Sequence, residues 1–224
     1  MQDELASIFS SRGAIFLQPV EQIMKHLTTV KLLLFDWDGV FTDGRKDSNR
    51  NSSFSELDTM GINLLRFCYW LHSGIIPFVA IISGEENQGA MFIAERDHLD
   101  AVYFQVKNKT DMADRLKKDF NVKVSESLFL FDDVLDIGLV RQTALNFAIK
   151  NDASLLFKEY IKSEKNVAYI SANTGATHAI REISELIMGL LGRYKEVIDH
   201  RATFSLTYQT YLKERNLVIP KLFY

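Results

Sequence analysis

Six short, nearly unbroken apolar runs recur along the middle of this 224-residue chain, at residues 30–35, 77–82, 101–104, 128–131, 145–149 and 167–170. A strand with one wet face alternates apolar and polar residues, whereas runs like these are dry on both faces. Between and after them lie stretches with the 3.6-residue apolar period of helices, at 61–72, 88–98, 110–120, 136–142, 153–161 and 177–191. The last places Ile180, Ile183, Leu186, Ile187 and Leu190 on one face. Buried strands alternating with helices predict an α/β fold, a three-layer Rossmann-like parallel sheet with helices on each side. In such sheets ligands sit at the carboxyl ends of the strands, so those positions are where chemistry is to be sought.

One segment breaks the rhythm. Residues 44–55 (GRKDSNRNSSFS) are polar and turn-rich and follow the first run where a helix would be expected. They predict a small β-hairpin flap, with a mobile loop as the alternative. The expected organisation is an N-terminal helical extension over 1–29, a core over 30–191 with the flap at about 44–55, and a C-terminal extension over 192–224. That last piece carries Tyr194, Phe204, Tyr208, Tyr211, Phe223 and Tyr224, a composition that packs on its own domain or on a neighbouring subunit.

Composition excludes several classes. With 47% apolar and 25% charged residues the chain is not disordered, and its net charge of −3 offers no nucleic acid or acidic membrane surface a counter-charge. No apolar run reaches the ~18 residues of a membrane span, and the acidic start Met1-Gln2-Asp3-Glu4 is unlike a signal peptide. Cys68 is the only cysteine, so neither an internal disulfide nor a thiolate zinc cluster can form, and a reducing, cytoplasmic setting is expected. The Asn-x-Ser/Thr matches at Asn51 and Asn108 are short enough to arise by chance.

The run ends carry a pattern. After the first comes Asp36-Trp37-Asp38-Gly39, two carboxylates facing the same way, compatible with catalysis, a metal site or a capping turn. After the second comes Ser83-Gly84-Glu85, a hydroxyl that could reach a phosphate oxygen or cap a helix. Lys109 precedes the third helical stretch, where a lone lysine reads as a solvated charge. After the fourth run stand Asp132, Asp133 and Asp136, whose mutual repulsion calls for a divalent cation or a hydrogen-bond network, and oxygen ligands suit Mg2+. Taken in order, these residue types make a complete set for phosphoryl transfer to a carboxylate: nucleophile, proton donor, and positive groups facing the equatorial oxygens.

In that order, and in the segments FDWDGVFTDG (35–44), FSELDTMGI (54–62), IISGE (81–85), QVKNK (105–109), FDDVLD (131–136) and GATHAIRE (175–182), the chain resembles the haloacid dehalogenase (HAD) superfamily phosphatases. It is similar to the nearly capless branch acting on 3-deoxy-2-ulosonate phosphates, the octulosonate 8-phosphate and nonulosonate 9-phosphate phosphatases. The likeness runs from about residue 30 to 191. It implies Asp36 as nucleophile and Mg2+ ligand, Asp38 as general acid/base with its carbonyl on the metal, and Ser83 and Lys109 holding the phosphoryl group. It further implies Asp132 as the third metal ligand, Asp133 and Asp136 as supports for bound water or Lys109, and Thr42, Gly84, Glu85 and Arg181 at the substrate. For Arg181 a helix-surface pairing with its acidic neighbours is the alternative. The implied partner is a small phosphorylated sugar acid, and the implied assembly a homotetramer in which flaps complete neighbouring sites.

Departures from the branch are also present. Phe131 stands where the family has Gly before the double Asp, and could crowd the metal site or pack into the core. Ser83-Gly84-Glu85 replaces the octulosonate enzymes' Thr-Gly-Arg, and resembles the nonulosonate-acting members. Asp58-Thr59 stands where the family has Asp-Gly, and Gly175-Ala176-Thr177-His178 where it has Gly-Gly-x-Gly. These changes motivate a rival reading, a catalytically weak binding or regulatory subunit; another is the same machinery acting on a different phosphate ester. Trp37 is expected to point into packing, and Cys68 to be a core thiol.

Overall fold

A computed structural model describes residues 2–47 and 52–224. The elements in chain order are α1 (Gln2–Ser11), β1 (Ile15–Phe16), α2 (Val20–Leu27), β2 (Leu32–Asp36), α3 (Glu56–Ser73), β3 (Phe78–Ile82), α4 (Gln88–Asp97) and β4 (Ala101–Tyr103). They continue with α5 (Met112–Phe120), β5 (Ser127–Phe131), α6 (Ile137–Val140), β6 (Leu145–Ala148), α7 (Leu155–Ile161) and β7 (Val167–Ile170). The chain closes with α8 (Ala179–Leu190), α9 (Tyr194–Ala202), α10 (Leu206–Arg215) and β8 (Lys221–Phe223). All six apolar runs are strands, within a residue or two of the expected bounds.

The strands form one sheet in the order β1-β7-β6-β5-β2-β3-β4-β8. Every pairing is parallel except that of β1 with β7. The chain runs from β2 outward to β3 and β4 and only later returns to β5 on the other side of β2. That reversal opens a crevice at the carboxyl end of β2, the usual ligand position in such sheets. Side chains alternate across the pleat: Leu33, Phe35 and Trp37 join a core with α3, α4, α8 and α9, whereas Leu32 and Leu34 join a second core with α5, α6 and α7. Trp37 thus packs away from the carboxylates beside it. Its ring stacks on Phe41 at 4.8 Å and its Nε1 donates to Ser52 Oγ.

Local chemistry moves some boundaries. Helix α3 begins earlier than its apolar pattern suggests, because the Ser55 hydroxyl caps it by accepting from Leu57 N–H. The helix expected over 136–142 is the single turn α6 behind a 3-10 turn, Val134–Asp136, closed by a capping box between Asp133 and Asp136. Residues 44–47 and 52–55 carry no strand, and 48–51, the tip of the expected hairpin and the site of Asn51, lie outside the described residues.

Both terminal segments add strands to the sheet, β1 at one edge and β8 at the other. The aromatic C-terminal piece packs on its own domain: Tyr208 and Tyr211 lie against Phe67 at 5.0 and 5.1 Å. Cys68 is fully buried there, and burial pushes its thiol up to about 12. No helix among the described residues is long and apolar enough to cross a membrane.

Candidate active site

A cavity of about 780 Å3 opens at the carboxyl ends of the central strands. Asp36 and Asp38 enter it from the end of β2, Gly84 and Glu85 from β3, Lys107 and Lys109 from beyond β4, and Asp132, Asp133 and Asp136 from beyond β5.

Lys109 is the hub. Its Nζ lies 2.5 Å from Asp36 Oδ1 and 2.5 Å from Asp136 Oδ1, and all three side chains are at least nine-tenths buried. Burial pushes the lysine's pKa down, but Asp136 and Asp36 outweigh that and hold it above its usual range. The other Asp136 oxygen accepts the backbone N–H of Asp133 at 3.2 Å and of Asp132 at 3.4 Å. Asp136 therefore ties the loop after β5 to the lysine. Asp133 caps the following turn through Val134 N–H.

The positive charge of Lys109 does not balance the cluster. Asp36, Asp132 and Asp136 each offer an oxygen within 4.8 Å of the others'. Burial, then the Asp136 charge, raises Asp36 to about 7 against the pull of Lys109. Burial, then the charges of Asp36, Asp136 and Asp133, raises Asp132 to about 9. Asp38 Oδ1 and Asp132 Oδ1 are buried with no hydrogen-bond partner. Oxygen donors with no proton to accept, in excess of nearby cations, fit a hard divalent ion. The backbone leaves room for this: Gly39 has φ +87°, and a Cβ there would lie 1.9 Å from Asp132 Oδ2. Gly175 packs against the same loop, where a Cβ would lie 2.2 Å from Thr42 O and 2.3 Å from Gly39 O.

The remaining expected residues are distributed as follows. Ser83 is fully buried at the end of β3, and its Oγ accepts from Asn87 Nδ2 at 2.8 Å and Glu85 N–H at 3.2 Å, which leaves its own proton to donate. Thr42 lines the cavity, but its Oγ1 accepts from Gly44 N–H at 3.1 Å and so orders the loop. Gly84 and Glu85 are in the wall, the latter exposed. Arg181 is not brought here: its Nε donates to Glu185 Oε1 at 2.7 Å within α8, the surface pairing, and its backbone N–H donates to the buried Asp58. Phe131 is buried in the α5–α6 core, stacked on Phe129, and forms no part of the cavity wall.

Several residues in or beside the wall were assigned no role from sequence. Lys46, within the polar stretch, pairs with Asp38 Oδ2 at 3.0 Å. Lys150 and Asp152, paired at 3.1 Å, follow β6, and Thr174 follows β7. Their only signal was position after an apolar run.

The carboxylates make a direct prediction. A group whose folded pKa is raised above its unfolded value of ~4 makes the unfolded state the better acid, so stability falls as pH rises. With EDTA, the thermal midpoint is expected to fall between pH 6 and pH 9, across the range set by Asp36 at about 7 and Asp132 at about 9. Added Mg2+ is expected to raise it most at the upper end, a hundredfold excess over the dissociation constant adding about 2.7 kcal/mol of stability. Asp132→Asn should abolish most of that gain. Equal Mg2+ stabilisation of both proteins would remove Asp132 from the ion site.

No family model matches the chain. Among solved structures it is similar to 3-deoxy-D-manno-octulosonate 8-phosphate phosphatase from Moraxella catarrhalis, a complex with magnesium, phosphate and KDO (23% identity, 83% of this chain and 99% of that one, TM-score 0.64). It is similar to a probable YrbI family phosphatase from Pseudomonas syringae (25% identity, 83% and 98%, TM-score 0.65). The cobalt-bound octulosonate phosphatase of Haemophilus influenzae matches at 24% identity over 75% and 93%, TM-score 0.62.

Proposed function

We propose that this chain, whose fold is that of the HAD superfamily hydrolases, is a Mg2+-dependent phosphomonoesterase acting on a small sugar-acid phosphate of the 3-deoxy-2-ulosonate type. The observation that carries the reading is the convergence of Asp36, Asp136 and Lys109 at 2.5 Å beside two buried, unpartnered carboxylate oxygens on Asp38 and Asp132.

In this reading a carboxylate oxygen of Asp36 attacks phosphorus, and the bond to the sugar oxygen breaks. Asp38, released from its resting pair with Lys46 and protonated from solvent, gives that oxygen its proton. Asp38 then takes a proton from water, which attacks the aspartyl-phosphate and releases Asp36 and inorganic phosphate. Lys109 fixes Asp36 Oδ1 and offsets charge on the phosphoryl oxygens, with the Ser83 hydroxyl as a further donor. Asp36, Asp132 and the Asp38 carbonyl are the residues that would hold Mg2+, which supplies charge neutralisation at the phosphoryl oxygens. In this reading Asp136 serves Lys109 and the loop after β5 rather than the ion, its oxygens accepting from Lys109 and from two backbone N–H groups.

Glu85 at the rim suits sugar hydroxyls, and Lys107 and Lys150 suit a substrate carboxylate. A homotetramer whose flaps cover neighbouring mouths would exclude water from the intermediate. A cytoplasmic setting belongs to the same reading and rests on the single buried thiol, Cys68. The weak-subunit reading loses one of its reasons, since Phe131 lies in the core.

The test is a phosphate-release assay with Mg2+ over a panel of sugar phosphates. Octulosonate 8-phosphate or nonulosonate 9-phosphate should exceed neutral hexose phosphates in kcat/KM by at least about tenfold, the selectivity a carboxylate contact supplies. A preference for neutral esters would replace the substrate class and keep the chemistry. Inertness toward the whole panel and toward an aryl phosphate would favour the binding-subunit reading.

A further inference from the structure

The C-terminal segment encloses a second concavity, of about 400 Å3, that shares no lining residue with the strand-end cavity. It lies between the first half of α3, the end of α4, and α9–α10. Three guanidinium groups line it, from Arg96, Arg201 and Arg215, against two carboxylates, Glu56 and Asp97.

The pairing is uneven. Arg96 takes both carboxylates, with Nε and Nη2 on Asp97 at 3.1 and 2.9 Å and Nη1 on Glu56 at 2.6 Å. Arg215 donates only to neutral amides, Asn63 Oδ1 at 3.0 Å and Asn216 Oδ1 at 2.9 and 3.1 Å. The Arg201 guanidinium has no hydrogen bond among the described residues: its Nε is shut off from solvent without an acceptor, and the group lies over the Tyr208 ring at 5.2 Å. Tyr208 is 4% exposed, and its hydroxyl has no partner among the described residues. A desolvated donor without an acceptor is costly, and in native structures such groups are rare unless something else satisfies them. Planar guanidinium forks match the paired oxygens of phosphate and carboxylate.

We infer that this groove is a binding site for a small oxyanion, a phosphate or carboxylate group on a compact, partly apolar body, held by Arg201 and Arg215 with the Tyr208 hydroxyl. Met60, Phe204 and Leu212 supply the apolar wall for the body of the ligand. The site gives the C-terminal extension a role beyond packing, since Arg201, Tyr208 and Arg215 all belong to it.

The test is thermal unfolding of the full chain titrated with inorganic phosphate, and separately with benzoate, in EDTA at fixed ionic strength. Without a divalent ion the carboxylate cluster at the strand ends repels anions, so the groove is read selectively. Phosphate or benzoate should raise the midpoint of the unaltered protein, and which of them does so names the ligand's anionic group. Arg201→Gln and Arg215→Gln should each require at least about tenfold more anion for the same rise, the scale of one charge-assisted contact. Arg201→Lys, which keeps the charge but loses the fork, should fall between, and guards against a Gln variant that fails to fold. All three should retain Mg2+-dependent hydrolysis of an aryl phosphate. The same midpoint rise in the variants, or no rise with either anion in the unaltered protein, overturns the assignment. The titration does not depend on turnover, so failure of the proposed activity would leave its outcome readable.

Discussion

Asp36→Asn is expected to lower Mg2+-dependent hydrolysis of an aryl phosphate by roughly 10^4-fold or more, because an amide cannot form the acyl phosphate and the covalent route closes. The replacement is nearly isosteric and keeps an oxygen for Lys109 Nζ. It also removes one of the buried carboxylates whose repulsion raises Asp132. In EDTA near pH 8 its thermal midpoint should therefore equal or exceed that of the unaltered protein. Loss of activity with stability retained would distinguish a reacting group from a structural one. Activity within tenfold of the unaltered enzyme would exclude Asp36 as nucleophile, and with it the whole assignment of roles.

Lys109→Met should cost both folding and turnover. The lysine is the cation shared by Asp36 and Asp136, and it is 3% exposed. Removing one partner of a buried pair costs about 3–5 kcal/mol. At about 2–4 °C per kcal/mol for a chain of this size, the midpoint in EDTA should fall by roughly 6–20 °C. Acidifying should recover part of the loss, because protonated carboxylates no longer repel. Turnover with Mg2+ should fall by about 10^2–10^3, the scale for losing one preorganised group facing developing charge. Asp136→Asn should reproduce the stability loss in weaker form, since its amide still accepts from the loop N–H groups. An Lys109→Met midpoint within about 2 °C of the unaltered protein in EDTA would mean that the ion pair does not hold the site together.

Part of the site was readable because it obeys a local rule. A buried parallel strand must end where it meets water, and the polar residues just beyond that end are set by sequence position alone. Asp36, Ser83, Lys109 and Asp132 each stand directly after an apolar run or at the start of the next helical stretch, and the crevice at β2 brings the first, third and fourth to one cavity wall, with Ser83 buried just behind it. Arg181 shows where that logic stops. Its place in a motif left a substrate contact and a surface pairing with its acidic neighbours both open, and the fold gives its guanidinium to Glu185, one turn on. Phe131 shows the same from the other side: it follows the parity of Phe129 into the core, which register across β5 decides and composition does not.

By itself, the sequence determined the six core strands and their succession along the chain, the layers around them and the acids at their ends, because burial on both faces and the pleat's period of two are local properties of each run; the edge strands β1 and β8 and the order across the sheet came from the fold. Only the tertiary structure decided which acid would hold Lys109, that Lys46 would reach Asp38, and that Arg201 would lie unpaired beneath α10. Those outcomes depend on how separate segments meet, Lys109 lying 73 and 27 residues from Asp36 and Asp136, and that geometry is fixed by packing of the whole chain and is written in no single stretch of it.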